Sequence, residues 1–293
     1  MDPRALMRSS VALGALACCV LVTSAALALP AASAAQPSVS ANWAGYVATR
    51  AGAGKGFSSV SGAWRAPTAT CASGRETDAA VWVGLGGYSE TSRGLEQVGT
   101  DADCTSSGTP VYSSWFELLP AEPVNLKLAV HPGDAIVASV TVHHQDVTLR
   151  IRDLTTGERF STTRRSANID ASSADWIVEA PSVCPSSQTC DVLSLTDFGQ
   201  VSFASATAVS NGHTGAIDDP AWSQTELELQ QQTFNAAHGR AGARVVPTKT
   251  LTVAAPTPST AADGAFSVSW QQQALQLERS SPTTLPGFGG GSP

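Results

Sequence analysis

Carboxylates and side-chain amides set among tryptophans recur in four short segments: Trp82-Val83-Gly84-Leu85-Gly86-Gly87, Gly94-Leu95-Glu96-Gln97-Val98-Gly99, Trp115-Phe116-Glu117-Leu118-Leu119 and Asp175-Trp176-Ile177-Val178-Glu179. A carboxyl group takes and gives protons, an amide donates hydrogen bonds without titrating, and indoles offer flat apolar surface. Side chains alternate along a strand, so Trp115 and Glu117 share one face, and Gln97 shares one with Leu95 and Gly99. Were these faces concave and adjacent, they would line a groove with polar groups over an aromatic floor. Aromatic residues on strands are usually core, and a lone Gln or Glu usually faces solvent. Spacing alone therefore does not identify a reacting pair.

The elements that would position these residues are strands. Period-two alternation recurs in Val124-Leu126-Leu128-Val130, Val147-Leu149-Ile151 and Phe266-Val268-Trp270, each with polar residues between. Turn chemistry punctuates them at His131-Pro132-Gly133-Asp134 and Thr155-Thr156-Gly157-Glu158. Many short strands, with one helical candidate around Glu226–Ala237, predict an all-β sandwich of two antiparallel sheets, of jelly-roll or concanavalin-like kind. His143 and His144 are adjacent in a strand-like stretch, which would send them to opposite faces and rule out a shared metal there.

Arg4 and Arg8 precede an apolar run from Val11 to Leu29 that ends in small residues, the order of a secretory signal peptide. Residues 1–35 are read as that signal, 36–279 as the β-sandwich domain, and the Pro/Gly/Ser-rich 280–293 as a disordered tail. The expectation is a secreted, extracellular monomer with no membrane attachment once the signal is removed. The formal charge of −7 argues against nucleic acid as a partner. Only 14% of residues are charged, which leaves few native carboxylates for acid to disrupt and suits an acidic medium. Cys71, Cys104, Cys184 and Cys190 follow the signal, and four cysteines allow three connectivities. Cys71–Cys104 and Cys184–Cys190 are favoured, each pair lying in a loop-like, Ser/Thr-rich neighbourhood. No C-x2-C pair suggests zinc, and no cofactor is implied. G-x-S-x-G, H-E-x-x-H, D-T-G and D-S-G are all absent.

Asn42-Trp43-Ala44-Gly45-Tyr46, Trp82-Val83-Gly84, Gln97-Val98-Gly99, Trp115-Phe116-Glu117, Asp175-Trp176-Ile177-Val178-Glu179 and Asp197-Phe198-Gly199-Gln200-Val201-Ser202-Phe203 occur in one order along roughly residues 41 to 272. In that order they resemble the glutamic peptidases, the eqolisins, with this chain as a member of actinobacterial type. The resemblance implies a substrate groove across one sheet, peptide substrates, and a catalytic pair at Gln97 and Glu179. It also implies that Trp43, Trp82, Trp115 and Glu117 line the groove and bind substrate or support the pair. Gly86 stands where fungal members carry an aspartate beside the groove, and Leu119 where they carry a tyrosine.

Such a pair suits an acid endopeptidase that activates water without a covalent intermediate. With an ordinary pKa of about 4.3, a glutamate is substantially ionised at moderately acid pH and can serve as base where histidine would be protonated. A glutamine can hold the water and stabilise the tetrahedral oxyanion at any pH. Two readings stay open beside this one. The first is a jelly-roll carbohydrate-active protein, either a glycoside hydrolase using Glu117 and Glu179 or a lectin-like binder. The second is a catalytically dead peptidase-like module.

Overall fold

The computed structural model describes residues 37–50, 56–186, 189–235, 246–259 and 263–271. The expected signal (1–35) and tail (280–293) lie outside the described residues. The strands are β1 (Ser38–Ser40), β2 (Trp43–Thr49), β3 (Phe57–Arg65), β4 (Ala80–Gly86), β5 (Leu95–Cys104), β6 (Pro110–Leu118), β7 (Val124–Asn125), β8 (Ala135–His143) and β9 (Asp146–Asp153). They continue with β10 (Arg159–Arg165), β11 (Ser173–Glu179), β12 (Ser182–Ser186), β13 (Thr189–Val192), β14 (Gln200–Ser210), β15 (His213–Ala216), β16 (Ser223–Asn235), β17 (Val246–Pro256) and β18 (Phe266–Trp270). No helix occurs among the described residues.

Sixteen strands form one hydrogen-bonded sheet: fourteen follow the path β10-β9-β8-β3-β14-β18-β17-β16-β2-β11-β4-β5-β6-β7, β1 and β15 are attached at its side, and β12-β13 form a separate hairpin. The pairings along the path are antiparallel, and β1 joins β16 in parallel. The path doubles over, so β3 and β8 pack on β4, β8 and β9 on β5, and β3 and β14 on β11. This is the expected sandwich, with its two layers joined by strand pairing through β18, β17 and β16.

Alternation decides which side chains enter the space between the layers. Val147, Leu149 and Ile151 of β9, Trp176 and Val178 of β11, and Val81, Val83 and Leu85 of β4 are buried there. Phe203 stacks on Phe266 at 4.8 Å, and the buried Trp176 indole donates to the Ser61 carbonyl at 2.8 Å, which satisfies its one polar atom. Disulfides join Cys71 to Cys104 and Cys184 to Cys190, the two favoured pairings.

Three local expectations are corrected. The helical candidate Glu226–Ala237 is strand β16 as far as Asn235. Leu229 is buried in the core between the layers and Leu227 in an apolar cluster on the outer face, and pairing with β2 and β17 overrides the weak helical pattern. The run Val124–Val130 keeps only the two-residue β7, because beyond Asn125 its bonds to β6 converge on Ser114, whose carbonyl accepts from the Leu126 amide at 2.8 Å and whose Oγ donates to the Leu128 carbonyl at 2.7 Å. His143 and His144 do not point to opposite faces: His144 takes φ 56° in the β8–β9 turn, and the two rings meet edge to face at 4.4 Å.

Candidate active site

The second layer presents its outer face through β2, β11, β4, β5 and β6. Register places Trp43 beside Glu179, Glu179 beside Ala80, Ile177 beside Trp82, Trp82 beside Gly99, Gly84 beside Gln97, and Gln97 beside Glu117. These residues therefore share one face. Trp43, Trp82, Trp115, Ile177, Leu95 and Leu227 form an apolar cluster distinct from the core between the layers. The aromatic floor is real, and Gln97, Glu117 and Glu179 all stand over it.

Trp82 links the two halves of the site. Its Nε1 donates to Glu179 Oε2 at 2.8 Å, while the far edge of its six-membered ring lies where a side chain at Gly84, the register partner of Gln97, would begin. The indole thus spans the interval between Gln97 and Glu179. Its place depends on Gly99, where a Cβ would come within 2.5 Å of the Val81 carbonyl and 2.6 Å of Trp82 Cβ. Trp43 meets Trp82 edge to face at 5.0 Å. Trp82 is fully buried, whereas Trp43 and Trp115 keep 9% and 7% of their surface exposed on this face.

Glu179 is held at both oxygens. Asn42 Nδ2 donates to Oε1 at 2.9 Å, opposite the Trp82 bond, and Asn42 itself accepts from Ser40 Oγ at 3.3 Å. Burial pushes the Glu179 carboxyl up to about 7. The indole donors and Asn42 oppose this, and the Glu117 charge adds to it. This differs from the sequence expectation of an ordinary glutamate ionised at moderately acid pH. The physical reason is desolvation in a wall of indoles, which two or three donors offset only in part.

Gln97 is buried, and its Nε2 donates to Glu117 Oε2 at 2.5 Å, while its Oε1 has no partner and is shielded on every side by protein. Burial raises the Glu117 carboxyl, and the Gln97 bond works against that rise. Trp115 is oriented by Asp101, whose Oδ1 accepts from the indole at 2.6 Å and whose Oδ2 accepts from Ser113 Oγ at 2.5 Å. Desolvation moves Asp101 up to about 6 despite these donors.

All six residues singled out from sequence are thus brought together on one face. Two more were missed. Asn42 lay inside the first matching string without an assigned role, and Asp101 stands four residues after Gln97 on the same strand, where period two already placed it on this face. Gly86 has φ 82°, and a Cβ there would fall within 2.5 Å of the Asp170 carbonyl and 2.6 Å of Asp170 Cβ, so Asp170 fills the space a side chain at 86 would need. Its carboxylate is bound by Ser92 and by the Ser172 amide at 2.8 Å, and these donors hold it below the usual range. Leu119 is exposed just beyond β6. No cluster of three His, Cys, Asp or Glu among the described residues could hold a metal ion.

The sequence profile of the peptidase A4 family matches residues 41–245, most of the chain. Aspergillopepsin-2 of Aspergillus niger is 27% identical over 217 residues, covering 66% of this chain and 71% of that protein. Scytalido-glutamic peptidase, solved with a peptide-based transition-state analogue, superposes with a TM-score of 0.58 at 22% identity over 79% of this chain and 98% of its own. SCP-B, an eqolisin solved with the tripeptide Ala-Ile-His, gives 0.57 at 21% identity over the same shares. A match of this extent, on a β-sandwich shared with solved eqolisins, shows that the chain belongs to the peptidase A4 family and is an endopeptidase of the glutamic type.

Proposed function

We propose that this protein is a secreted, acid-limited, monomeric endopeptidase in which Glu179 and Gln97 activate a water molecule against the scissile amide. One observation carries the reading. Glu179 is fixed at both oxygens by Asn42 and Trp82, and across the Trp82 indole stands Gln97, whose carbonyl oxygen is buried without a partner. A buried unpaired acceptor is costly to keep, and a small rotation of the Gln97 amide when substrate binds would turn it toward a water seated between the two residues.

At acid pH a carboxyl whose pKa is about 7 enters the reaction protonated. One of its oxygens gives that proton to the substrate carbonyl oxygen while the other takes a proton from the attacking water, whose oxygen bonds the carbonyl carbon. Glu179 then protonates the amide nitrogen as the C–N bond breaks and recovers a proton from a hydroxyl of the tetrahedral intermediate. The net change is addition of one water across the peptide bond. Gln97 orients the water through Oε1, and the Nε2 hydrogen not given to Glu117 donates to the substrate oxygen. Glu117 decides which end of the amide faces which way, and Trp43 and Trp115 hold the substrate chain. The two disulfides fit an extracellular protein.

Hydrolysis of a denatured protein between pH 2 and 9, with pepstatin and a chelator present, tests this. Activity is expected to be high in acid and to fall tenfold per pH unit above about 7, since the acid form of Glu179 is required. Glu179→Gln should be inactive and folded. Activity that rises through pH 7, or survives in Glu179→Gln, would overturn the mechanism.

A further inference from the structure

The outer face of the first layer, on the side of the sandwich away from the groove, is built differently from the rest of the surface. Register aligns its outward side chains in rows across β3, β8, β9 and β10: Ala63, Val137, Arg152 and Arg159, then Ser61, Ser139, Arg150 and Ser161, then Ser59, Thr141, Thr148 and Thr163. Arg65 flanks the first row, and Arg165 stands beyond the last, opposite Asp146. Five of the 17 Lys and Arg of a chain with net charge −7 thus lie on one face, where Asp146 is the one facing carboxylate and His143 the one facing imidazole.

Arg152 and Arg159 are directly opposed, and like charges in that relation repel. The ion pairs among the described residues are His131–Asp134 and His213–Asp219, so none of the five is held in an ion pair, and only Arg165 has a carboxylate, Asp146, as its register partner. Arg165 donates to Gln145 and Arg65 to the Gly133 carbonyl, while Arg150, Arg152 and Arg159 are exposed and make no hydrogen bond. Between them the face carries Ser, Thr and Ala, with Val137 the one exposed larger apolar side chain of these rows.

We propose that this face, a local patch that the net charge of −7 averages away, docks a base-free polyol-phosphate chain rather than a nucleic acid, holding the peptidase on an anionic surface with its catalytic face turned away from that surface. Residues two apart on a strand are about 6.5–7 Å apart and paired residues about 5 Å apart, so Arg150, Arg152 and Arg159 stand in one compact group whose guanidinium groups can reach neighbouring phosphates of a single chain. Guanidinium is the cation that meets phosphate oxygens two at a time. The preference for phosphate over carboxylate rests on the acid working range proposed above, because carboxylate polymers lose their charge there.

The test is retention of the full chain on immobilised poly(glycerol phosphate) at pH 4 and pH 7 in low salt, against polygalacturonate and phosphatidylglycerol vesicles. Wild type is expected to bind the phosphate polymer at both pH values and to elute with salt. The triple variant Arg150→Gln, Arg152→Gln, Arg159→Gln should bind about tenfold or more weakly with a flatter salt dependence, while cleaving a soluble peptide at the wild-type rate. No retention of the wild type, equal retention of the folded triple variant, or retention only on polygalacturonate or on vesicles would each overturn the proposal. Because binding is read separately from turnover, failure here and failure of the catalytic reading are distinguishable.

Discussion

Glu96 lies on β5 next to Gln97 but points the opposite way, fully buried with neither carboxyl oxygen hydrogen-bonded to a partner. Desolvation pushes its pKa up to about 8 from the ordinary 4.5, with the Asp170 charge adding to the rise and backbone amides opposing it. A carboxyl whose folded pKa is raised stabilises the fold fully below its unfolded pKa and loses that contribution as pH climbs toward the folded value. At pH 7, about 2.5 units above the unfolded value, the folded state must hold a proton that the unfolded state has released, a loss of about 3 kcal/mol relative to pH 4. Glu96→Gln replaces the neutral acid by a neutral isostere and removes this dependence. Urea denaturation of both proteins at pH 4 and pH 7 isolates it, because any fixed cost of burying the amide cancels in the difference. The wild type should lose about 3 kcal/mol more than the variant between the two pH values. Parallel losses would refute the assignment of a buried, neutral Glu96.

Other outcomes follow from the site. Asn42→Ala removes a donor that favours ionised Glu179, so the alkaline limb of the kcat/KM profile should move to higher pH and kcat should fall; an unmoved limb would take Asn42 out of contact with the reacting carboxyl. Gln97→Glu places a second carboxylate against Glu117 and loses the donor to the tetrahedral oxygen, so kcat should drop about 10²–10³-fold at pH 4 with KM little changed. Gly99→Ala drives a methyl group into Val81 and Trp82, and should lower stability by about 1–3 kcal/mol by thermal unfolding while depressing kcat through the displaced indole.

Much of the scaffold was legible in the residues. Buried alternation in β9 and β18, glycine at the Thr155–Glu158 turn, the two disulfide pairings and an all-β sandwich follow from local chemistry that a strand or turn expresses wherever it is placed. Period two also placed Leu95, Gln97 and Gly99 on one face of β5, and Trp115 with Glu117 on one face of β6. The ordered set of short strings carried the family, though no single string was distinctive.

Tertiary structure decided what depends on neighbours distant in sequence. The β16 segment reads locally as a weak helix and becomes a strand because β2 and β17 flank it. Asn42 and Glu179 are 137 residues apart in sequence, and only the pairing of β2 with β11 brings them into contact. The protonation state of Glu179 is also not a property of glutamate, since the indoles that shield it come from other strands and shift it by desolvation. The arginine face exists because four strands align in register. Side-chain type and alternation are local quantities, and a sequence states them directly. Burial, partner and charge environment are sums over non-local contacts, which the chain acquires only when the sheet folds over itself.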